Sequence, residues 1–361
     1  MPTHDVLALL VSSHLVALQP AAAVGGKVET LSIDLASGEV KVTQQAPVGP
    51  SAERVLAVIG AFRLRAATVV AVVTGAQRVA TLNGQPVFKV INTRLITPKN
   101  ANFDAGDKRL LAYLRDAINP EGTGRGLHFA YSSDLTLSAQ RLADVLANPA
   151  TASKPPARRA DYSYFWNRTL AKPLLGARAG AADFLAALPL TLPARNLPFR
   201  GAALFACDND GPCRAARGFH ADAGADAFVL TMILGSVGQI TGVEAKTYGR
   251  SAKLDITLIA RRSADRSGTR HWRRGADTQG AAANLVETEE IVVLNGGQVS
   301  ASYVQLRGSI PLIWTQIPNI KYKPPTKLLQ GEASTAAFDA HVDGLLKKYK
   351  SLVTVFVRAR V

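Results

Sequence analysis

Cysteine is nearly absent from this sequence: its 361 residues hold two, Cys207 and Cys213. So few thiols exclude a disulfide-stapled scaffold and point to a reducing compartment. Together with His220 they lack a clear fourth ligand for a metal, and we expect neither metal nor cofactor. Acidic residues are also scarce, 27 against 42 lysines and arginines, which leaves a formal net charge of +15 and a pI near 10.0. That balance implies an anionic partner: nucleic acid, an acidic membrane surface or a phosphorylated small molecule. Nucleic acid is not expected, because no helix-turn-helix pattern and no module interleaving aromatic and basic residues is present.

Long apolar runs are missing as well. Residues 6–26 carry no charge, but Ser12, Ser13, His14, Gln19 and Pro20 interrupt them, and Asp5 stands where a signal peptide carries Lys or Arg. They read as a strand and turn. Residues 227–243 are also uncharged but contain Gln239 and three glycines, which suits a buried element better than a span. What is present, 47% hydrophobic and 19% charged residues, is the composition of a globular chain with room for about two domains.

The chemistry concentrates between Lys253 and Lys323. Leu254, Ile256 and Leu258 alternate with Asp255 and Thr257, so this segment predicts a half-buried strand that delivers Arg261 and Arg262 to its end. A basic loop begins there. Six arginines (Arg261, Arg262, Arg266, Arg270, Arg273, Arg274) stand against Asp265 and Asp277, and the planar guanidinium fork binds phosphate bidentately. The same letters also fit a solvated loop whose arginines pair with Glu287, Glu289 and Glu290. Glu287 and Glu289 share one face of the returning strand, where they could do acid/base work or orient the arginines, and the orienting role is the expectation. Arg307, beside Gly308, can approach a ligand closely. Lys321 and Lys323 extend the basic face.

Elsewhere the first hundred residues read as β. Leu31, Ile33 and Leu35, a Ser37-Gly38 turn, then Val40 and Val42 predict a hairpin; residues 68–74 predict a central strand; Asn83-Gly84 predicts a two-residue hairpin turn. Helices are expected over residues 104–118 and 135–146, and residues 148–159 form an exposed, Pro-rich linker. Tyr162, Tyr164, Phe165 and Trp166 read as core aromatics anchoring a helix. Residues 334–350 predict an amphipathic helix and 352–357 a central strand of a mixed sheet, which lacks a following crossover and leaves the domain incomplete.

Four strings in order, ITLIARRS, GTRHWRRGADTQGAAANLVETEEIV, YVQLRGSIPLIWTQ and NIKYKP, resemble the Sac-domain family of phosphoinositide phosphatases. The likeness extends more weakly through DYSYFWNRTL (residues 161–170), residues 62–90 and the helix at 334–350. It implies an α/β chain, α+β overall: a β-rich N-terminal subdomain with packed helices over residues 1–190, then the front part of a catalytic domain over 191–361, with an unmatched insertion at about 207–244. It also implies phosphoinositide head groups as partners, with Arg261, Arg262, Arg270, Arg273, Arg274, Arg307 and Lys321 binding phosphate. The family reaction is thiolate attack from a cysteine–five–arginine loop, giving a phosphocysteine that water hydrolyses. Neither cysteine here has that spacing, since Cys213 and Phe219 stand where the arginine belongs. The expectation is that the loop falls beyond Val361, that the intact protein is a phosphatase on cytosolic faces of endoplasmic reticulum or Golgi membranes, and that this chain alone is inactive. A non-catalytic phosphoinositide-binding module is the alternative.

Overall fold

In a computed structural model of the chain, the described residues are 6–21, 26–48, 52–122, 126–175, 224–247, 250–268, 274–297, 299–316 and 324–350. The uncharged opening stretch forms the hairpin of β1 (Leu7–Val11) and β2 (Leu15–Pro20). The hairpin predicted around Ser37-Gly38 is β3 (Val28–Asp34) and β4 (Val40–Gln45), and β5 (Glu53–Val55) completes a five-stranded antiparallel sheet in the order β4-β3-β2-β1-β5.

A second, eight-stranded sheet carries the rest. It contains β6 (Ala57–Arg63), β7 (Thr68–Leu82), β8 (Gln85–Ile96), β9 (Leu127–Phe129), β10 (Met232–Thr247), β11 (Arg250–Arg262), β12 (Val286–Leu294) and β13 (Val299–Arg307). Its order is β13-β12-β11-β10-β9-β8-β7-β6. The turn between β7 and β8 is Asn83-Gly84, both at positive φ (48° and 76°), with Leu82 opposite Gln85. Every pairing between these strands is antiparallel, so the chain is α+β and β-rich. The strand expected at 352–357 and the boundary near residue 190 lie outside the described residues. The sheet itself is continuous from β6 to β13.

β7 explains its own unbroken apolar run. Val70 and Val72 pack into a core with Leu18, Leu31, Ile33 and Phe165, while Val69, Ala71 and Val73 pack into another with Leu111, Leu114 and Phe129. One face meets the five-stranded sheet and the other meets α1 (Ala105–Ile118), so neither needs polar residues. α1 is capped by Asp104, whose carboxylate accepts from Asp107 N–H at 2.7 Å. α2 (Ala139–Ala147) starts four residues later than the periodicity predicts. The Asp134 carboxylate accepts from the Thr136 N–H and Oγ–H, which holds 134–137 as a turn, and Ser138 becomes the cap. Short turns α3 (Pro149–Ala152), α4 (Pro156–Arg159) and α5 (Arg168–Ala171) follow, and α6 (Glu332–Tyr349) is the long helix near the end.

The stretch that looked like an unmatched insertion contributes β10, which sits in the sheet between β9 and β11. Met232, Ile233 and Leu234 are buried, as expected of an uncharged element, but Ile240 is 65% exposed, because beyond Gly235 the strand is covered on one face. Residues 207–223 lie outside the described ones.

His128 on β9 is buried, with Nδ1 2.7 Å from the Gly126 carbonyl oxygen. Burial lowers its pKa, opposed by that hydrogen bond and reinforced by Lys89 on β8. The folded state therefore binds its proton less readily than the unfolded chain does. Stability is full above the unfolded value near 6.5 and falls as pH drops below it towards the depressed folded value. Thermal melts at pH 7.5 and 5.5 should show a fall in Tm that His128→Gln reduces; an identical fall in both proteins would refute the assignment.

Candidate functional site

The arginine-bearing strand is oriented opposite to its apolar alternation. On β11 the buried side chains are Thr257, Ile259 and Arg261, whereas Leu258 is 47% exposed. The polar face lies inward because each polar group there has a partner. Gln239 Nε2 donates to Thr257 Oγ at 2.9 Å. Arg261 donates from Nε to the Leu135 carbonyl (2.5 Å), from Nη1 to Glu287 (2.8 Å), and from Nη2 to the Leu137 carbonyl (3.0 Å) and Glu289 (2.5 Å). This corrects the expectation that Arg261 faces phosphate: it is 1% exposed and its donors are committed inside the protein.

Glu287 and Glu289 are both fully buried. They belong to an alternating chain of charges: Lys348, Asp161, Arg141, Glu287, Arg261, Glu289. Lys348 lies 2.6 Å from Asp161, Arg141 pairs closely with Asp161 and at 3.4 Å with Glu287, and Tyr349 Oη donates to Glu287. Glu289 also accepts from the Ala139 N–H at 2.6 Å, a carboxylate at the N-terminus of α2. The chain joins α2, the 161–165 segment, β11, β12 and α6 around six charges that balance. Burial alone would raise the Asp161 carboxyl, but Lys348 and Arg141 outweigh it and hold it below the usual range. Burial lowers the Lys348 ammonium against the pull of Asp161, and burial pushes the Tyr164 and Tyr349 phenols up. The sequence reading missed Arg141, Asp161 and Lys348; of these only Asp161 had a signal, the string DYSYFWNRTL, where Tyr164 and Phe165 are buried and Asp161 joins Lys348 to Arg141.

Arg262, one residue on, stands at the root of the basic loop. Its Nη2 donates to the Gly268 carbonyl at 3.0 Å and to Asn284 Oδ1 at 2.9 Å, and burial lowers its pKa. Beyond it Arg266 adopts positive φ (46°) and donates from Nη2 to the Arg274 carbonyl at 2.9 Å. The Arg274 guanidinium lies 5.5 Å from the centre of the Trp314 ring and reaches Gln316 Oε1 at 3.3 Å. Arg266, Arg274 and Trp314 line an open groove of about 580 Å³, and Asp277, Thr278, Lys327, Leu328 and Leu329 also stand in its wall. Lys327 comes from β15 (Thr326–Leu328), which pairs with β14 (Trp314–Gln316) as a separate two-stranded ribbon. The groove's carboxylate, Asp277, is directed at its own loop: it accepts from the Gln279 and Ala281 N–H groups at 3.0 and 2.9 Å and lies 4.0 Å from Arg266.

Two glycines fix the loop against its surroundings. Gly275 (φ 63°) donates its N–H to Ser309 Oγ at 2.8 Å, and a Cβ there would lie 2.5 Å from the Leu312 carbonyl oxygen. Gly280 (φ 81°) lies against α6, where a Cβ would come 2.5 Å from His341 N. His341 Nδ1 is in turn 2.8 Å from the Gly280 carbonyl oxygen. Helix α6 thus touches the basic loop through His341 and the ionic chain through Lys348 and Tyr349.

Of the residues singled out by sequence, Arg274 lines the groove, Arg262 supports it from the loop's root, and Arg307 is exposed at the end of β13, opposite Val286, away from the groove lining. Arg270, Arg273 and Lys321 lie outside the described residues, as do Cys207, Cys213 and His220. Lys327 and Trp314 were not singled out, because neither belongs to a run of basic residues. Among the described residues no group of three or more His, Cys, Asp or Glu could hold a metal ion, and no helix is long and apolar enough to cross a membrane.

The profile of the SacI homology domain matches residues 56–357, a span that encloses segment 207–244. Among curated proteins, the chain is 30% identical over 332 residues to phosphoinositide phosphatase SAC7 of Arabidopsis thaliana, covering 90% of this chain and 46% of that one. It is 28% identical over 330 residues to phosphatidylinositol-3-phosphatase SAC1-B of Danio rerio (89% and 46%). It is 27% identical over 305 residues to phosphatidylinositol-3-phosphatase SAC1 of Saccharomyces cerevisiae (83% and 40%). The chain spans about half the length of the curated relatives it matches.

Proposed function

Because this chain belongs to the SacI homology domain family, we propose that it is the head-group-binding part of a phosphoinositide phosphatase. The observation that carries this reading is the groove, where Arg266, Arg274 and Lys327 line one open cavity with Trp314 and, among the described residues, one carboxylate, Asp277. A phosphomonoester carries up to two negative charges and several acceptor oxygens, and a guanidinium held over an indole ring is a preset donor for them. Arg262, bonded across the loop to Gly268 and Asn284, ties down the root of the segment that carries Arg266 and Arg274, which favours donors set before ligand arrives.

The reaction proposed for the whole protein is hydrolysis of a phosphomonoester on a phosphatidylinositol phosphate such as phosphatidylinositol 4-phosphate, at a cytosolic membrane face. In that reading this chain binds the phosphate and does not cleave it, since neither Cys207 nor Cys213 precedes an arginine at the required spacing. Residues 1–190 and 191–361 serve as the N-terminal subdomain and the front of the catalytic domain. Isothermal titration with water-soluble dibutanoyl phosphatidylinositol 4-phosphate tests the binding, and release of inorganic phosphate from the same compound tests the chemistry. Saturable binding without release is the expected result. Absence of binding would refute the reading of the groove, and release that survives Cys207→Ser/Cys213→Ser would refute the division between binding and cleavage.

A further inference from the structure

Exposed leucines at the rim of the cationic groove have no role in gripping a phosphate. Leu328 and Leu329 are 49% and 51% exposed, and both line the cavity that Arg274 and Lys327 line. Other large apolar side chains open to water, such as Ile91, Ile240, Leu258 and Tyr303, are spread over the eight-stranded sheet and do not line the groove. Single exposed apolar residues need no explanation, but two in succession beside cations do. Their backbone is firmly placed: Leu328 pairs with Trp314, the Leu329 N–H donates to the Ile313 carbonyl at 2.9 Å, and Gln316 Nε2 donates to the Pro324 carbonyl at 2.7 Å.

Resting on the reading of the groove as a phosphoinositide site, we propose that the β14–β15 ribbon is the element that meets the lipid bilayer. Leu328 and Leu329 enter the boundary between head groups and acyl chains while Lys327 and Arg274 remain at the level of the phosphates. Apolar side chains flanked by cations are what an anionic interface accepts: the acyl boundary takes the leucines and the surface potential attracts the charges. An acidic protein surface would match the cations but leave the leucines without a hydrophobic counterpart, and a free inositol phosphate would not touch them. The chain's net charge of +15 favours the same partner.

The test separates the bilayer from the head group. Wild type and Leu328→Ser/Leu329→Ser are compared by co-sedimentation with phosphatidylcholine vesicles containing phosphatidylinositol 4-phosphate, with plain phosphatidylcholine vesicles, and by titration with the soluble dibutanoyl compound. Both leucines are half in water already, so the variant should melt with the wild type. We expect it to lose roughly tenfold to a hundredfold in affinity for phosphoinositide vesicles, far more than it loses for the soluble compound. A variant that sediments like the wild type would overturn the proposal and leave the groove reading standing. Equal wild-type binding to plain vesicles would overturn the anionic part of it, and a wild type that binds neither the soluble compound nor the vesicles would remove the groove reading and this proposal together.

Discussion

Glu287→Ala should unfold the chain at a denaturant concentration far below that of the wild type, with about 3–5 kcal/mol of stability lost. Glu287 is the central anion of the buried ionic chain: it touches Arg261 at 2.8 Å and Arg141 at 3.4 Å and accepts from Tyr349. Truncation leaves Arg141 and Arg261 with one carboxylate each, Asp161 and Glu289, and the Arg261 guanidinium is fully buried. A buried charge deprived of a partner costs far more than the pair contributes, because the remaining ion cannot recover its hydration. Domains are stable by only about 5–15 kcal/mol, so a loss of this size removes a large share of the total. Glu290→Ala is the control, since Glu290 is exposed on the same strand, and it should stay within about 0.5 kcal/mol of wild type. Urea unfolding followed by tryptophan fluorescence checks both. Coincident curves for Glu287→Ala and wild type would show that the ionic chain does not hold β11, β12 and α6 together.

That result bears directly on function. The basic loop is suspended between two anchors: its root at Arg262 and Asn284, and its middle at Gly280, where it presses on α6. Because α6 is also tied to the ionic chain, loss of Glu287 should loosen the loop along with the core. Arg168 on α5 adds a third hold, pairing with Asp265 at 2.7 Å. A milder variant, Glu287→Gln, retains a hydrogen-bond acceptor for Arg261 and should fall between the two.

Sequence periodicity carried the hairpins and β7 plainly, because in those places the demand of the fold is local: two residues at positive φ for a tight turn, or an apolar surface on both sides of a strand. It carried β11 as a strand but reversed its faces. Leu254, Ile256 and Leu258 look like the inward set, yet Thr257, Ile259 and Arg261 are buried. No local rule reveals this, because the partners that make Arg261 tolerable inside come from other elements: Glu287 and Glu289 from β12, and the carbonyls of Leu135 and Leu137 from the segment before α2. Adjacent arginines therefore take different fates, Arg261 in the core and Arg262 at the loop root, and only tertiary context separates them. The groove was half legible for a related reason. The run of arginines marked one wall, but Trp314 and Lys327 arrive later in the chain on a separate ribbon, as isolated letters.

Arg274→Ala/Lys327→Ala should reduce affinity for dibutanoyl phosphatidylinositol 4-phosphate by about a hundredfold or more, with folding unchanged. Each charge-assisted hydrogen bond to a phosphate contributes roughly 1.5–3 kcal/mol, or about one to two factors of ten. The two side chains come from separate elements of the groove wall, so their losses should combine in large part. Arg274 also rests on the face of Trp314, and its removal forfeits a donor already held in place. Arg307→Ala separates the specific claim from general basicity, because it removes one charge, half of what the double variant removes, from an exposed position outside the groove lining. If binding depends on the geometry of the groove, Arg307→Ala should lower affinity only slightly, and that small loss should vanish as salt shortens the screening length from about 10 Å at 0.1 M. If instead the double variant and Arg307→Ala weaken binding in proportion to charge removed, the partner is held by the overall field of a chain with net charge +15, and the groove is not its site.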